Sequence, residues 1–333
     1  MDLSEFELIG QIADRAPAAA RFETGIGDDA AVIHAGGRIV TSVDTAVAGV
    51  HFNAGRPPSE SARKAVASAI SDLAAMGLGA GETELLVALG VPAGTSRAYL
   101  DGLVDGLLEA AGEFGAALAG GDVVSSPVVF LSITAIAHVT DTTRLTRRNS
   151  ARPGDVVAVT GPVGGAAAGL ALLGGLEVPD LSDLAEDLLV RCQVRPEPQL
   201  KAAPVLAAGG VSAMIDVSDG LIADLGHIAE ASGVGMRLEA SGIPVYAGVS
   251  EVAAAAGSDP FEFAVTGGED YVLALTVEPD LFARVDDALI EATGFELQAI
   301  GEVVAAGSAT GGVSVQSDGR ILEFGVAGHD HLR

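Results

Sequence analysis

Aspartates carry the chemistry that this sequence offers. In Met214–Leu225, MIDVSDGLIADL, Asp216 and Asp219 flank Ser218 within one short turn. Val211–Ile215 reads as a buried strand, and Leu221, Leu225 and Ile228 fall on one face of a following helix. The two carboxylates therefore meet at a strand-to-helix turn. Ser218 or Asp219 is placed there to cap the helix, and helix N-termini favour anions such as phosphate. Similar acidic points recur along the chain. They are Asp28 and Asp29 in GIGDDAAVI, Asp44 at the end of a strand over Arg38–Val43, Asp72 near the C-terminal end of a helix over Ser59–Met76, Asp122 after Gly120 and Gly121, and Glu269 in GGEDY. Taken singly, each also reads as an ordinary turn, cap or solvated surface residue. Asp72 sits against its local preference, since a helix macrodipole disfavours negative charge at that end by about 0.3–1 kcal/mol. If the acids converge, their repulsion is severe unless cations neutralise it. Oxygen ligands without a cysteine cluster select Mg²⁺ over zinc. Carboxylate-held Mg²⁺ with some arginine suits nucleotide phosphates.

The elements that position these residues follow from composition and periodicity. At 333 residues the chain is long for one core, so two domains are expected, 1–140 and 141–333. Hydrophobic residues make up 49%, aromatics only 4%, and there are 44 glycines and no tryptophan, which implies α/β layers rich in Ala, Val and Leu with many tight turns. Strands are expected over Thr83–Val91, Val128–Ala137, Val156–Thr160, Met236–Glu239 and Tyr271–Val277. Helices are expected over Phe6–Ala13, Ser96–Gly115, Ala166–Leu173, Leu181–Val190, Leu200–Ala208, Val249–Ala256 and Leu281–Thr293, with Gly77 closing the helix that carries Asp72. Gly120-Gly121-Asp122 and Gly267-Gly268-Glu269-Asp270 are placed alike, each leading toward a strand, which hints at two similar halves. Between the domains lies the one basic stretch, DTTRLTRRNSARPGD, with Arg144, Arg147, Arg148 and Arg152. Clustered arginine suits a phosphate contact and equally an interdomain linker of solvated charges.

Other function classes recede. A formal net charge of −27 argues against nucleic acid or an anionic membrane as partner. Cys192 is the only cysteine, so there is no internal disulfide and no cysteine-based zinc cluster. The opening MDLSEFELIGQIADRA lacks a basic segment followed by an apolar one, and no apolar run reaches membrane-spanning length, so a cytoplasmic location is expected. GPVGG resembles a phosphate loop only weakly, and no GxxxxGK[ST] occurs, which disfavours a Walker-type kinase.

Seven segments, GIGDDAAV, SVDTAVAGVHF, SDLAAMG, GGD, LTRRNSARPGD, IDVSDGL and GGEDY, resemble in kind and order those of the thiamine-monophosphate kinase family. That family lies in the ATP-binding superfamily of aminoimidazole ribonucleotide synthetase. The resemblance covers nearly the whole chain. It implies two α/β domains, the first with a mixed sheet that pairs with its twin across a homodimer, and ATP bound along that domain near the interface. It implies transfer of the ATP γ-phosphoryl group to thiamine monophosphate with several Mg²⁺ ions. Carried over by motif, Asp29, Ser42, Val43 (through its backbone), Asp44, Asp72, Asp122, Asp216 and Asp219 are the implied Mg²⁺ ligands. Gly121, Asp122, Arg148 and Ser218 are implied to contact ATP, and His51 and Glu269 to face the thiamine phosphate. The family's aromatic substrate contact near the C-terminus has Phe324 as its nearest counterpart. Two alternatives stand beside this one: another enzyme of the superfamily, such as a ribonucleotide cyclo-ligase or selenophosphate synthetase, and a non-catalytic protein whose acidic loops hold a divalent cation.

Overall fold

The computed structural model describes residues 22–24, 31–34, 37–81, 83–309, 312–322 and 324. The helix expected over Phe6–Ala13, the Asp28–Asp29 pair and the tail from Gly328 lie outside them. Two sheets divide the described chain. The first runs β1-β2-β3-β6-β4-β5, made of β1 Phe22–Thr24, β2 Ala31–His34, β3 Arg38–Val47, β4 Thr83–Val91, β5 Ala116–Ser125 and β6 Phe130–Val139. β4 and β5 pair in parallel, which requires a crossover, and the helix α2 (Arg97–Glu113) supplies it. Ser96 caps that helix, its side chain accepting from the Tyr99 N–H at 3.2 Å. The other long helix of this half, α1 (Pro58–Ala75), lies between β3 and β4 in sequence.

One face of this sheet is covered and the other is bare. Along β3, Arg38, Val40, Ser42 and Ala46 are buried while Val43 is 63% exposed, the period of two that a strand imposes. Leu131, Ile133, Ala135 and Ala137 of β6 and Leu85, Val87 and Leu89 of β4 continue the covered face into one core with α1 and α2. On the bare face the ladder aligns Val43, Thr134, Leu86 and Gly120 in a single cross-strand row.

The second sheet runs β13-β12-β9-β11-β7-β10-β8. Its strands are β7 Val156–Val159, β8 Ala213–Asp216, β9 Val234–Glu239, β10 Leu273–Val277, β11 Gln298–Ala305, β12 Val313–Ser317 and β13 Arg320–Leu322. The short apolar runs VVAV, AMID and LALTV are buried on both faces, as strands between two helical layers must be. On one side pack α5 (Ala202–Gly209) and α9 (Pro279–Thr293), which bring Leu206, Val285 and Leu289 against Met214, Leu273 and Leu275. On the other, α6 (Leu221–Ser232) places Leu225 and Ile228 with Val159, Ile215 and Ala274. The remaining helices, α3 Gly165–Leu173, α4 Asp183–Val194, α7 Val249–Ala255 and α8 Pro260–Thr266, share a smaller core built on Ala168, Leu189, Val252 and Ala264.

Helix α1 belongs to both halves. It is Ala-rich and buried nearly all round, with Ala62, Val66, Ala69, Ile70 and Leu73 in the first core and Ala74 and Ala75 in the core of α5 and α9. Its buried Arg63 is held by Glu113 at 2.9 Å and Glu197 at 3.0 Å, and stacks on the Phe114 ring. The basic stretch is likewise structured. Arg147 runs parallel beside β8 at Ala213, residues 148–150 form a 3₁₀ turn, and Ser232 of α6 donates to the Arg148 carbonyl at 2.8 Å. Among the described residues no helix is long and apolar enough to cross a membrane.

Three local expectations are corrected. Gly120-Gly121-Asp122 is no turn but lies inside β5, where Val87↔Gly121 and Ala88↔Asp122 pairing overrides the poor strand propensity of these residues. β10 begins at Leu273 rather than Tyr271, because Glu269 and Tyr271 take left-handed φ angles of 70° and 51° that no strand accommodates. The two GG-acid motifs are therefore not equivalent. Finally, α6 is capped at Gly220, not at Ser218 or Asp219, and the Asp224 carboxylate takes the N–H groups of Ser218, Asp219 and Gly220 at 3.0–3.1 Å.

A carboxylate-lined cleft between the two halves

A cleft of about 480 Å³ opens where the C-terminal end of β3 and the face of α1 meet the β8–α6 turn and the loop before β10. Asp44 reaches it from β3, on the same face of the strand as Ser42 and Ala46. Asp72 reaches it from the last turns of α1, and Ser42 donates to its carboxylate from β3. The unfavourable helix position of Asp72 is thus answered by a partner on the neighbouring strand.

Asp216 and Asp219 enter from the other half. Asp216 ends β8 and is 2% exposed, its Oδ2 accepting from the Ser71 hydroxyl at 2.6 Å. Burying a carboxylate demands such a partner. Asp219 lines the cleft one residue before the helix cap. Behind it, Asp224 is wholly buried. Burial and the charges of Asp219 and Asp216 push its pKa well above the carboxylate range, while Arg148 pulls it down. Glu269 completes the set of acids from the loop before β10. Backbone hydrogen bonds fasten that loop to the β8–α6 turn, Glu269 N–H to Ser218 O and Tyr271 N–H to Val217 O, both at 2.8 Å. Gly268 makes the approach possible, since a Cβ there would come within 2.3 Å of the Ser218 oxygen.

The structure therefore brings Val43, Asp44, His51, Asp72, Asp216, Ser218, Asp219 and Glu269 to one cleft, with Ser42 bonded behind Asp72. His51 accepts the Val47 N–H on Nδ1 at 3.1 Å, which leaves its ring proton on Nε2. Gly121, Asp122, Arg148 and Phe324 are not in the cleft lining. Gly121 and Asp122 lie on the edge strand β5, Asp122 exposed, and a Cβ at Gly121 would strike the Val87 carbonyl at 2.0 Å. Arg148 sits behind the Asp216–Asp219 turn near Asp224. Phe324 packs in the second core with its ring 6.3 Å from that of Phe261. Asp29 lies outside the described residues.

Sequence reasoning missed Lys64, Ser68 and Tyr271 at the cleft wall, and Ser71 and Asp224 buried behind it. Lys64, Ser68 and Ser71 follow i, i+4, i+7 spacing on a helix otherwise rich in alanine, and that polar stripe was the available signal.

The two halves match the family models described as AIR synthase related protein, N-terminal domain, over residues 27–139, and AIR synthase related protein, C-terminal domain, over residues 152–314. The chain is 42% identical over 275 residues to the thiamine-monophosphate kinase of Mycobacterium tuberculosis, 81% of this chain and 80% of that one. It is 36% identical over 337 residues to the thiamine-monophosphate kinase of Escherichia coli (strain K12), 100% and 99% of the two chains. A solved structure described as AaThiL complexed with AMPPCP and TMP superposes with a TM-score of 0.82 at 26% identity, covering 99% of this chain and 97% of that chain. The thiamine-monophosphate kinase of Stenotrophomonas maltophilia superposes with a TM-score of 0.74 at 34% identity, covering 97% and 99%. The hydrogenase maturation protein HypE, at 20% identity and a TM-score of 0.68, shares the fold. Matched in both halves and along its whole length, this chain belongs to the thiamine-monophosphate kinase family of the AIR synthase related proteins.

Proposed function

We propose that this chain transfers the γ-phosphoryl group of ATP to the phosphate of thiamine monophosphate, giving thiamine diphosphate and ADP. One observation carries the reading: Asp44, Asp72, Asp216, Asp219 and Glu269, drawn from both halves, share a single cleft. Their donor atoms are oxygens throughout, which fits Mg²⁺ and not zinc. Asp44, Asp72, Asp216 and Asp219 would hold the ions, with Asp29, Ser42, Asp122 and the Val43 carbonyl joining them by motif. Bound there, Mg²⁺ supplies charge neutralisation between two anionic phosphates.

The chain's own residues then position and enclose. The new bond forms from a phosphate oxygen of the acceptor to the γ-phosphorus, and the bond from that phosphorus to the β,γ-bridging oxygen breaks, its electron pair leaving on ADP. The acceptor oxygen is already ionised near neutral pH, so no strong base is required. His51, whose Nδ1 is occupied by the Val47 N–H, serves to orient the acceptor together with Glu269. Ser218, which lines the cleft at the acidic turn, would contact ATP, and Arg148 would add positive charge from behind it.

A second copy of the chain is proposed to cover the bare face of the first sheet, where Val43 is 63% and Leu86 41% exposed on one cross-strand row. Gly121 and Asp122, at the edge of that sheet, would then meet ATP at the seam between copies. With ATP as co-substrate, the cytoplasm is the proposed location. Steady-state turnover across a panel of acceptors tests the activity. ADP release with thiamine monophosphate, and none with unphosphorylated thiamine or selenide, is expected; preference for another acceptor would move the chain to a sister activity of the same fold.

A further inference from the structure

We propose that Lys64 is the positioning residue of the acceptor side, one buried ammonium that holds both acceptor-facing residues, His51 and Glu269, in a single geometry. The inference rests on the kinase reading above.

Lys64 projects from the first half of α1, next to Arg63 and among the buried Ala62, Ala65 and Ala67, and it is only 4% exposed. A lysine is kept in such a place only if its charge is answered. Its Nζ lies 2.7 Å from Glu269 Oε1 and donates to the His51 carbonyl at 2.9 Å. These partners come from different halves of the chain: His51 from the loop after β3, Glu269 from the loop before β10. The second oxygen of Glu269 accepts from Gln193 Nε2 of α4 at 2.8 Å, so the carboxylate is fixed from two helices at once. The same loop is fastened again one turn along α1, where the Ser68 hydroxyl meets the Tyr271 hydroxyl at 2.6 Å. Glu269 and Tyr271 both hold left-handed backbone conformations. Such conformations persist where the surroundings over-determine them, and Lys64, Gln193 and Ser68 supply side-chain contacts that do so here. Among the described residues of the cleft lining, Lys64 is also the one lysine or arginine, and it borders a smaller adjoining cavity with His51, Phe52, Leu170 and Gln193. It therefore stands in the cleft beside His51 and Glu269, the residues proposed to face the acceptor.

A lysine that merely joined the halves would, when lost, impair both substrates alike. A positioning role separates them. The test is steady-state kinetics with thiamine monophosphate and ATP varied independently, for the wild type, Lys64→Met, Glu269→Gln and the double variant, each with its thermal unfolding recorded. Lys64→Met is expected to raise the acceptor KM about tenfold or more while the ATP KM stays within about twofold. In the Glu269→Gln background, the same substitution is expected to add less than about threefold, because the two residues act as one unit. An unchanged acceptor KM in Lys64→Met, equal rises in both KM values, or full additivity in the double variant would overturn the proposal. Should Lys64→Met fail to fold, Gln193→Leu frees the other oxygen of Glu269, and an unchanged acceptor KM there would overturn it equally. A wild type silent toward thiamine monophosphate would remove the kinase reading and this inference together, whereas an active wild type with an indifferent Lys64→Met would remove this inference alone.

Discussion

Asp219 lies in the cleft lining while Asp224 takes the N–H groups of the turn and Gly220 forms the helix cap. Removing its charge without changing its shape therefore leaves the helix start intact. Asp219→Asn is expected to melt at the same or a higher temperature without metal, since one negative charge leaves a crowded cluster. Its turnover at ordinary Mg²⁺ is expected to fall about 100-fold. Thermal unfolding beside a Mg²⁺ titration of activity makes the comparison, and normal turnover would return Asp219 to a turn residue. Asp72 was legible in the sequence because it offends a local rule, an acid at the wrong end of a helix. Asp44 was legible as the end of a strand over Arg38–Val43, although β3 runs on to Val47 and holds Asp44 inside it. Asp224 was not legible, for an acid in the first turn of a helix is where the macrodipole wants one. Lys64, Ser68 and Ser71 carry little local penalty, and their partners Glu269, Tyr271 and Asp216 lie far along the chain.

Helices and strands obeyed their periodicity more closely than their punctuation. Thr83–Val91 is a strand with the expected ends, and the helix expected over Ser96–Gly115 spans Arg97–Glu113. Misreadings gathered at glycine-acid clusters, where pairing with a neighbour decides the outcome: Gly120-Gly121-Asp122 continues β5 because β4 lies alongside it. Helix α3 shows how a distant residue can finish an element. Gly164 N–H donates to Asp270 Oδ2 at 2.6 Å and Ala166 N–H to Oδ1 at 3.0 Å, so the α3 N-terminus is satisfied by a carboxylate from the loop before β10. Burial pushes Asp270 from the ordinary 3.8 up to about 7, with the Glu269 charge adding to it and the amides of Ala166, Gly164 and Gly165 opposing it. The folded protein then keeps a proton that the unfolded chain has lost between about pH 4 and pH 7. The stability this group contributes is complete below about pH 4 and is lost as pH rises through about 7. Unfolding temperatures of wild type and Asp270→Asn from pH 5 to pH 8 check this. The wild type's advantage is expected to shrink as pH rises, and a gap independent of pH would contradict it.

The whole molecule is two layered halves fastened by one shared helix, with the acids of both facing a common cleft. Length and composition announced two halves, but no local pattern could say how they dock. That information lies in the cores that α1 joins, Ala62 and Ile70 on one side and Ala74 and Ala75 on the other. The bare face of the first sheet was foreshadowed by family resemblance, and its exposed row of Val43 and Leu86 gives the proposed dimer a physical reason. Placing a charge in that row should separate the copies. By sedimentation velocity the wild type is expected as a dimer and Leu86→Glu as a folded monomer, and a monomeric wild type would refute the pairing. The central claim, that this cleft joins an ATP phosphoryl group to an acceptor phosphate with Mg²⁺, is tested most directly by phosphorus NMR of the purified protein with ATP, thiamine monophosphate and Mg²⁺. The expected spectrum exchanges the acceptor's monoester signal for the coupled pair of a diphosphate as ATP becomes ADP, and stays unchanged in excess chelator. Inorganic phosphate accumulating beside an untouched acceptor, or undiminished turnover in chelator, would contradict it.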